Sequence, residues 1–456
     1  MAKQIKKDFQ PHTLVTGKYL GKKMRRFIMI VLISAFFIAS PLVIFYTAGY
    51  RYDLIQRTIK QTGVLSVDIK PIDAEIYLNE VKIEKKIPIR LTNRAPGTYH
   101  IKIQKEGYKP WEKDITIQSN QTTFIKDVIL LKNAAPQLIP HIPENTTQIF
   151  GSEFHDNFLI LTQDENTYEI YIYNTRTQTT ESLIRGMSVS QPQISVSPFQ
   201  EVAYARFDET DDGSSILYLI SLSNLEKPVV LHYNKPIYIQ WSKTASDSPL
   251  FIQSENTIRN ISLSGVQNII ARAVSSSIWY VDTNNHVWTY DTHTLNNLST
   301  QKVYSLTQEP RLILDINEYR VITQSMDNKT FVYQPDKDRL TEKRSLPGTK
   351  IFYKRDTKEW WIWSDWELSS VYNDGGINLL ERGGEKIKNA MLLDLSGVML
   401  FVYDNKFASF NPGYYVRHEL LQTDSTILDT FVNLRQRKIF YMINENGKNN
   451  VYALAY

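Results

Sequence analysis

FLILTQDENTYEIYIY, residues 158–173, is an apolar run, a polar break and a second apolar run. The two runs, 158–162 (FLILT) and 169–173 (EIYIY), are too short for helices and rich in β-branched and aromatic side chains. They predict the two strands of one hairpin. The same phrase recurs down the chain: 202–207 (VAYARF) with 215–220 (SILYLI), 249–253 (PLFIQ) with 258–263, and 278–282 (IWYVD) with 287–290 (VWTY). It continues as 320–324 (RVITQ) with 330–333 (TFVY), 360–363 (WWIW) with 369–372, 398–403 (VMLFVY) with 407–410, and 438–442 (KIFYM) with 451–456. Eight hairpins between residues 133 and 456 give one about every 40 residues, which is the blade period of a β-propeller.

A shorter outer phrase follows several hairpins: 182–185 (SLIR), 229–232 (VVLH), 378–381 (NLLE) and 418–421 (HELL). The last hairpin ends the chain without one, whereas 137–142 (QLIPHI) stands just ahead of the first. The expectation is a ring in which 137–142 pairs antiparallel with 451–456 as the outer strand of the C-terminal blade. The fourth unit is short and shows no clear innermost strand, so seven blades stands beside the favoured eight. Two packed β-sandwiches is the alternative fold.

Working towards the N-terminus, residues 63–132 change to short strands with period-two alternation. Leu65, Val67 and Ile69 alternate with Val64, Ser66, Asp68 and Lys70 before Pro71. Further strands are expected at 75–78, 81–83, 88–91, 98–104, 114–117 and 124–131, with turns at Asn79-Glu80 and Ala95-Pro96-Gly97. That is a small β-sandwich. Ala95-Pro96-Gly97-Thr98-Tyr99 followed by Lys105-Glu106-Gly107-Tyr108-Lys109-Pro110-Trp111 resembles the late motif of the PEGA domain. Pro71-Ile72-Asp73-Ala74 stands where that family has Pro-Glu-Gly-Ala, departing at two positions. The resemblance implies a surface module that links a membrane anchor to other extracellular parts and has no catalytic residues. Gly97 suits a turn, and Tyr108 and Trp111 suit a core plug.

From Phe27 to Tyr50 there is no charge for 24 residues, longer than the roughly 20 apolar residues needed to cross a bilayer as a helix. Tyr46, Tyr50 and Tyr52 fit an aromatic belt at its far end. The partner read here is therefore the lipid bilayer, through Phe27 to Tyr50. Residues 1–26 carry eight Lys and Arg against Asp8 alone, a net +7 within a total of +4, so the remainder is −3. Positive charge stays in the cytoplasm, which predicts a single-pass protein with a cytoplasmic tail (1–26), a signal anchor (27–50), a connector (51–62) and extracytoplasmic domains at 63–132 and 133–456. The apolar region is too long for a cleaved signal peptide and lacks a small-x-small site. The basic tail has this topogenic explanation and no recognition motif, so no nucleic-acid partner is expected.

The chain has no cysteine, which excludes disulfides, thiolate metal sites and cysteine nucleophiles. His286 and His293 lie seven apart without a carboxylate in ligand spacing. Asp208, Asp211 and Asp212 before Gly213 resemble a calcium loop, but Thr210 and Leu219 occupy positions that need oxygen ligands, so a hairpin turn is expected. Trp360, Trp361, Trp363 and Trp366 alternate as a strand packed between blades would, with ligand contact as the alternative. No Gly-x-Ser-x-Gly elbow, phosphate loop or dinucleotide fingerprint is present. No catalytic, cofactor-binding or metal-binding residue is assigned, and no cofactor is implied. The expected function is a membrane-anchored binding or scaffold protein of the cell envelope, with an envelope protein or polysaccharide as partner. The alternative is an extracytoplasmic propeller enzyme such as a glycosidase or lyase. An enzyme calls for a deep axial pocket with converging carboxylates or His, and a scaffold for a plugged or shallow axis.

Overall fold

The structure is a computed structural model and describes residues 21–47, 49–53, 58–209, 213–223, 227–244, 246–273, 278–337, 339–348, 350–354 and 357–456. Residues 1–20 of the basic tail, 54–57 of the connector, and Asp211 and Asp212 lie outside them. The chain divides into two compact units, Met1–Ile103 with Glu112–Ile129, and Gln104–Trp111 with Leu130–Tyr456.

The first unit opens with helix α1, Lys22–Thr47, which contains Pro41. Its 26 residues reach about 39 Å at about 1.5 Å each, long and apolar enough to cross a membrane. The helix takes in Lys22, Lys23, Arg25 and Arg26 ahead of the apolar run and stops at Thr47, three residues before Tyr50. Residues 51–62 are more than a connector: Tyr50–Asp53 pairs antiparallel with Thr58–Gln61. Four-residue strands with mixed polarity carry too little pattern to announce themselves.

The sandwich forms as expected. One sheet orders Ile89–Arg94, Gly63–Lys70 and Thr122–Ile129; the other orders Val81–Lys82, Glu75–Leu78, Gly97–Gln104 and Trp111–Ile117. Leu65, Val67 and Ile69 are buried, as alternation requires, together with Ile76, Ile101 and Ile103. Each such side chain removed from water contributes about 1.5–3 kcal/mol. Asn79 and Glu80 both take positive φ (48° and 66°), the geometry of a two-residue hairpin turn. The Asn79 side chain accepts a hydrogen bond from the His100 backbone N–H at 2.8 Å, which holds the turn without glycine. Trp111 is buried and Tyr108 half-buried.

In the second unit the strands group, among the described residues, into eight four-stranded antiparallel sets. The fourth and fifth share one parallel bridge, Ser305 to Arg339. All eight hairpins form as expected, and 182–185, 229–232, 378–381 and 418–421 lie in outer strands. The last hairpin turns at Asn446-Gly447, both with positive φ, the favoured chemistry for a two-residue turn. Each set has a leading strand: Thr146–Gly151, Gln193–Val196, Ile237–Trp241, Ile278–Val281, Pro310–Ile316, Lys350–Lys354, Asn389–Leu392 and Ile427–Asn433. In the fourth set the hairpin 278–290 supplies the leading and second strands, one place earlier than in its neighbours. The missing innermost strand there is thus Ile278–Val281 itself, and Thr294–Asn297 and Val303–Ser305 complete the set.

The ring closes where the sequence places its clasp. Gln137–Leu138 pairs antiparallel with the last strand, Gln137 opposite Ala453 and Leu138 opposite Tyr452. The Ile139 N–H then donates to the Val451 carbonyl at 2.9 Å. Every neighbouring pair of sets is stitched by a hydrogen bond: Asn157 to the Leu222 carbonyl (2.9 Å), Trp241 Nε1 to Ser195 Oγ (2.9 Å), and Gln240 Nε2 to the Val281 carbonyl (3.0 Å). Tyr280 donates to Asp315 (3.2 Å), Arg320 to the Lys358 carbonyl (2.8 Å), Lys350 to the Lys388 carbonyl (3.1 Å) and Lys388 to the Ile427 carbonyl (2.6 Å). The last set returns to the first through Ile149 N–H to Asp429 Oδ2 (3.0 Å) and Asn433 Nδ2 to the His155 carbonyl (2.6 Å). This is the topology of a β-propeller.

Candidate functional site

The leading strands of the second to sixth sets surround a cavity of about 940 Å³. Its wall is aromatic and aliphatic: Phe199, Tyr204, Tyr238, Trp241, Trp279, Tyr280, Phe352, Tyr353 and Trp360 stand among Ile237, Ile239, Leu312, Ile313 and Leu314. A cavity of this size with an apolar lining and a few placed polar groups has the character of a ligand site. The polar groups are Glu153, Gln193, Arg206, Gln240, Lys243, Glu309 and Arg311. Arg206 is engaged by Asp208 at 3.0 Å.

Lys243 organises one wall. It sits just beyond the strand Ile237–Trp241, half-buried, and its ammonium donates to the Leu314 carbonyl at 2.6 Å. Three rings face it: Trp360 at 4.4 Å, Tyr280 at 5.1 Å and Tyr353 at 5.6 Å from Nζ to the ring centroid. One side chain thus ties the third set to the fourth, fifth and sixth. Ring faces attract the cation. Desolvation outweighs that attraction and the nearby Asp315, and lowers the Lys243 pKa to about 8. Behind the wall, Arg320 is fully buried and paired with Asp315 at 2.7 Å, and the second carboxylate oxygen accepts the Tyr280 hydroxyl. Burial and Asp315 push the Tyr280 phenol well up.

The aromatic cluster singled out in the sequence divides. Trp361 and Trp363 pack with Leu368, Phe401 and Phe410 on one face of their strand. Trp360 packs with Ile322 and Ile362 on the other face and also lines the cavity. Trp366 is exposed. His286 lies 3.4 Å from Asp282 within its own turn, while His293 takes positive φ (66°) in the next. Among the described residues no three His, Asp or Glu side chains gather to hold a metal ion. Lys243, Asp315 and Arg320 gave no signal in the sequence, because each acquires its role from a partner in another set. The alternation of Ile237, Ile239 and Trp241 beside Tyr238 was the available hint of a strand facing the axis.

No curated protein matches the sequence. Among solved structures, one chain of "Crystal Structure of Mitotic Checkpoint Complex" is similar, at 9% identity and TM-score 0.43, over 72% of this chain and 93% of that one. Another is the β-propeller domain of Myceliophteria thermophila Cps50 (Swd1), at 10% identity and TM-score 0.38, over 70% of this chain and 99% of that one. The propeller assignment rests on the strand pairing and ring closure described above. In the N-terminal region the match is to a sequence family: residues 62–130 match the PEGA domain.

Proposed function

We propose that this is a membrane-anchored binding protein of the cell envelope. In this reading helix α1 is the anchor, the basic N-terminal segment stays in the cytoplasm, and the PEGA domain and an eight-bladed propeller lie outside. The propeller receives an apolar, aromatic segment of an envelope protein in its axial cavity. The observation that carries this reading is the cavity of about 940 Å³ walled by ring and aliphatic side chains from the leading strands of the third to sixth sets, with Phe199 and Tyr204 added by the second. Such a surface gives affinity by burying apolar area, with the few polar groups fixing orientation. The axis holds an open cavity where a scaffold was expected to leave it plugged or shallow. Among the described residues, however, the lining includes no His and its carboxylates are Glu153 and Glu309, so binding rather than catalysis is the proposed role.

The test uses the full chain in its native membrane. Leu312 lines the cavity and is 43% exposed, so Leu312→Arg places a charge there without emptying the core. Crosslinking and capture should yield a partner with the native chain and lose it with Leu312→Arg. Equal capture by both proteins would remove the cavity from the reading. Hydrolysis of an envelope glycan by the native chain, abolished by the same substitution, would replace binding with the glycosidase or lyase alternative.

A further inference from the structure

Helix α1 is fixed at its C-terminal end to the residues beyond it. Gly49 takes φ +80°, its N–H donates to the Tyr46 carbonyl at 3.2 Å, and its carbonyl accepts the Thr62 N–H at 2.9 Å. Arg51 caps the helix: its guanidinium lies 3.8 Å from the Tyr46 ring centroid and donates to the Tyr46 carbonyl at 2.7 Å and the Tyr50 carbonyl at 2.9 Å. The same side chain reaches Asn93 Oδ1 in the sandwich at 3.0 Å. The rings of Phe45 and Tyr50 meet edge to face at 5.4 Å. A helix C-terminus closed by a positive-φ glycine and an arginine ends sharply and holds the next residues close.

Those next residues form the hairpin of Tyr50–Asp53 with Thr58–Gln61. Tyr52 stands directly opposite Ile59, so both project from one face, and they are 58% and 62% exposed. An aromatic and an aliphatic side chain paired in the open, on a hairpin that Gly49 and Arg51 fasten to the helix end, have a natural solvent in the headgroup layer, where amphipathic rings concentrate. Arg51 and Lys60, opposite each other on the other face, take the polar side.

We propose that this hairpin is a second membrane contact, with Tyr52 and Ile59 inserted in the interfacial layer of the leaflet where α1 ends. The proposal rests on α1 spanning the bilayer. Its consequence is that the PEGA domain is seated on the membrane surface and does not swing freely from the anchor.

The absence of cysteine makes the test direct. Single substitutions Phe36→Cys, Tyr52→Cys, Ile59→Cys and Ile72→Cys in the full chain replace exposed side chains and take an environment-sensitive fluorophore after reconstitution in phospholipid vesicles. Nitroxide lipids report depth and aqueous iodide reports exposure. Position 36 is expected to be quenched from deep in the acyl layer, and position 72 by iodide. Positions 52 and 59 should be quenched by shallow nitroxides, with several-fold less iodide quenching than position 72. Iodide quenching at 52 and 59 equal to that at 72, with 36 still deep, would overturn the hairpin contact and leave the span intact. Loss of deep quenching at 36 would overturn the span and the hairpin contact with it.

Discussion

The ring has two unlike arcs. From the second set to the sixth, the sets surround an open cavity with a largely aromatic wall, and the third to sixth are tied by polar groups in and behind that wall: Lys243, Tyr280, Asp315 and Arg320. Where the eighth set meets the first, the space is filled. Phe431 stacks on Phe440 at 4.9 Å, Phe158 lies 5.2 Å from Phe431, and the Phe431 ring rests so closely on Gly151 that an added Cβ would sit 2.0 Å from ring carbons. One arc keeps an open cavity and depends on charge pairing. The other closes the circle and depends on shape. The difference teaches that a repeat fold need not spread stability and function evenly over its repeats.

Breaking the polar arc should have the largest effect. Asp315→Ala leaves the Arg320 guanidinium buried without its carboxylate, and chemical denaturation should show a loss of about 3–5 kcal/mol. Replacing both with apolar residues, Asp315→Leu with Arg320→Met, should recover part of it, because the unpaired charge is gone while the Tyr280 hydroxyl and the Lys358 carbonyl still lose their partners. A double variant no more stable than Asp315→Ala would mean that the arc does not depend on the pair's charge.

On the filled arc, Phe431→Ala should cost about 3 kcal/mol, the price of a cavity at a buried ring. Gly151→Ala should also destabilise through the clash, and Phe431→Leu should partly rescue it. Absence of that rescue would separate the glycine from the ring.

Lys243 gives the polar arc a pH signature. The unfolded chain keeps its lysine protonated up to about 10.5, whereas the folded chain releases this proton near 8. Between those values the unfolded state binds more protons, so this group makes stability rise with pH. Thermal melts from pH 7.5 to 9.5 should show the rise flattened in Lys243→Met relative to the native chain. Parallel curves for the two proteins would count against a desolvated amine.

The smallest effect belongs to the seam. Burial pushes the Asp429 carboxyl pKa up, although it accepts the Ile149 and Thr430 N–H groups. The folded state therefore holds this proton to higher pH than the unfolded chain, and the group's contribution to stability falls as pH rises through its folded pKa. Asp429→Asn should change stability at pH 7 by less than about 1 kcal/mol and remove that acid-side dependence. A larger loss would make the charge itself part of the closure.

How much the sequence disclosed depends on burial. Second strands such as Asn157–Asp164 and Leu250–Ser254 are buried on both faces between neighbouring sets, so they are nearly continuous apolar runs and were legible. Leading strands such as Gln193–Val196 and Ile237–Trp241 face the axis on one side and are only half-buried, so no continuous apolar run marked them, and the alternation in 237–241 is too short to stand out. Because those strands line the cavity, the candidate site was hidden with them. Lys243 reads as a surface lysine until Leu314, 71 residues away, comes within 2.6 Å.

The clasp strand has a mechanical consequence. Gln137–Leu138 is the edge strand of the last set, yet the chain enters it from the side of the helix. Tension arriving from that side meets Leu131, packed among Leu393, Leu400 and Ile439, and then this strand, before it meets the first set. A short ladder and the packing of Ile139 and Ile142 against the Phe158–Phe440 cluster resist it there. His141 and Thr180 share the strain with the first set, since the Thr180 hydroxyl donates to the His141 carbonyl at 2.6 Å. Under a pull, the circle would open first at the seam where its two ends overlap, like a belt at its buckle.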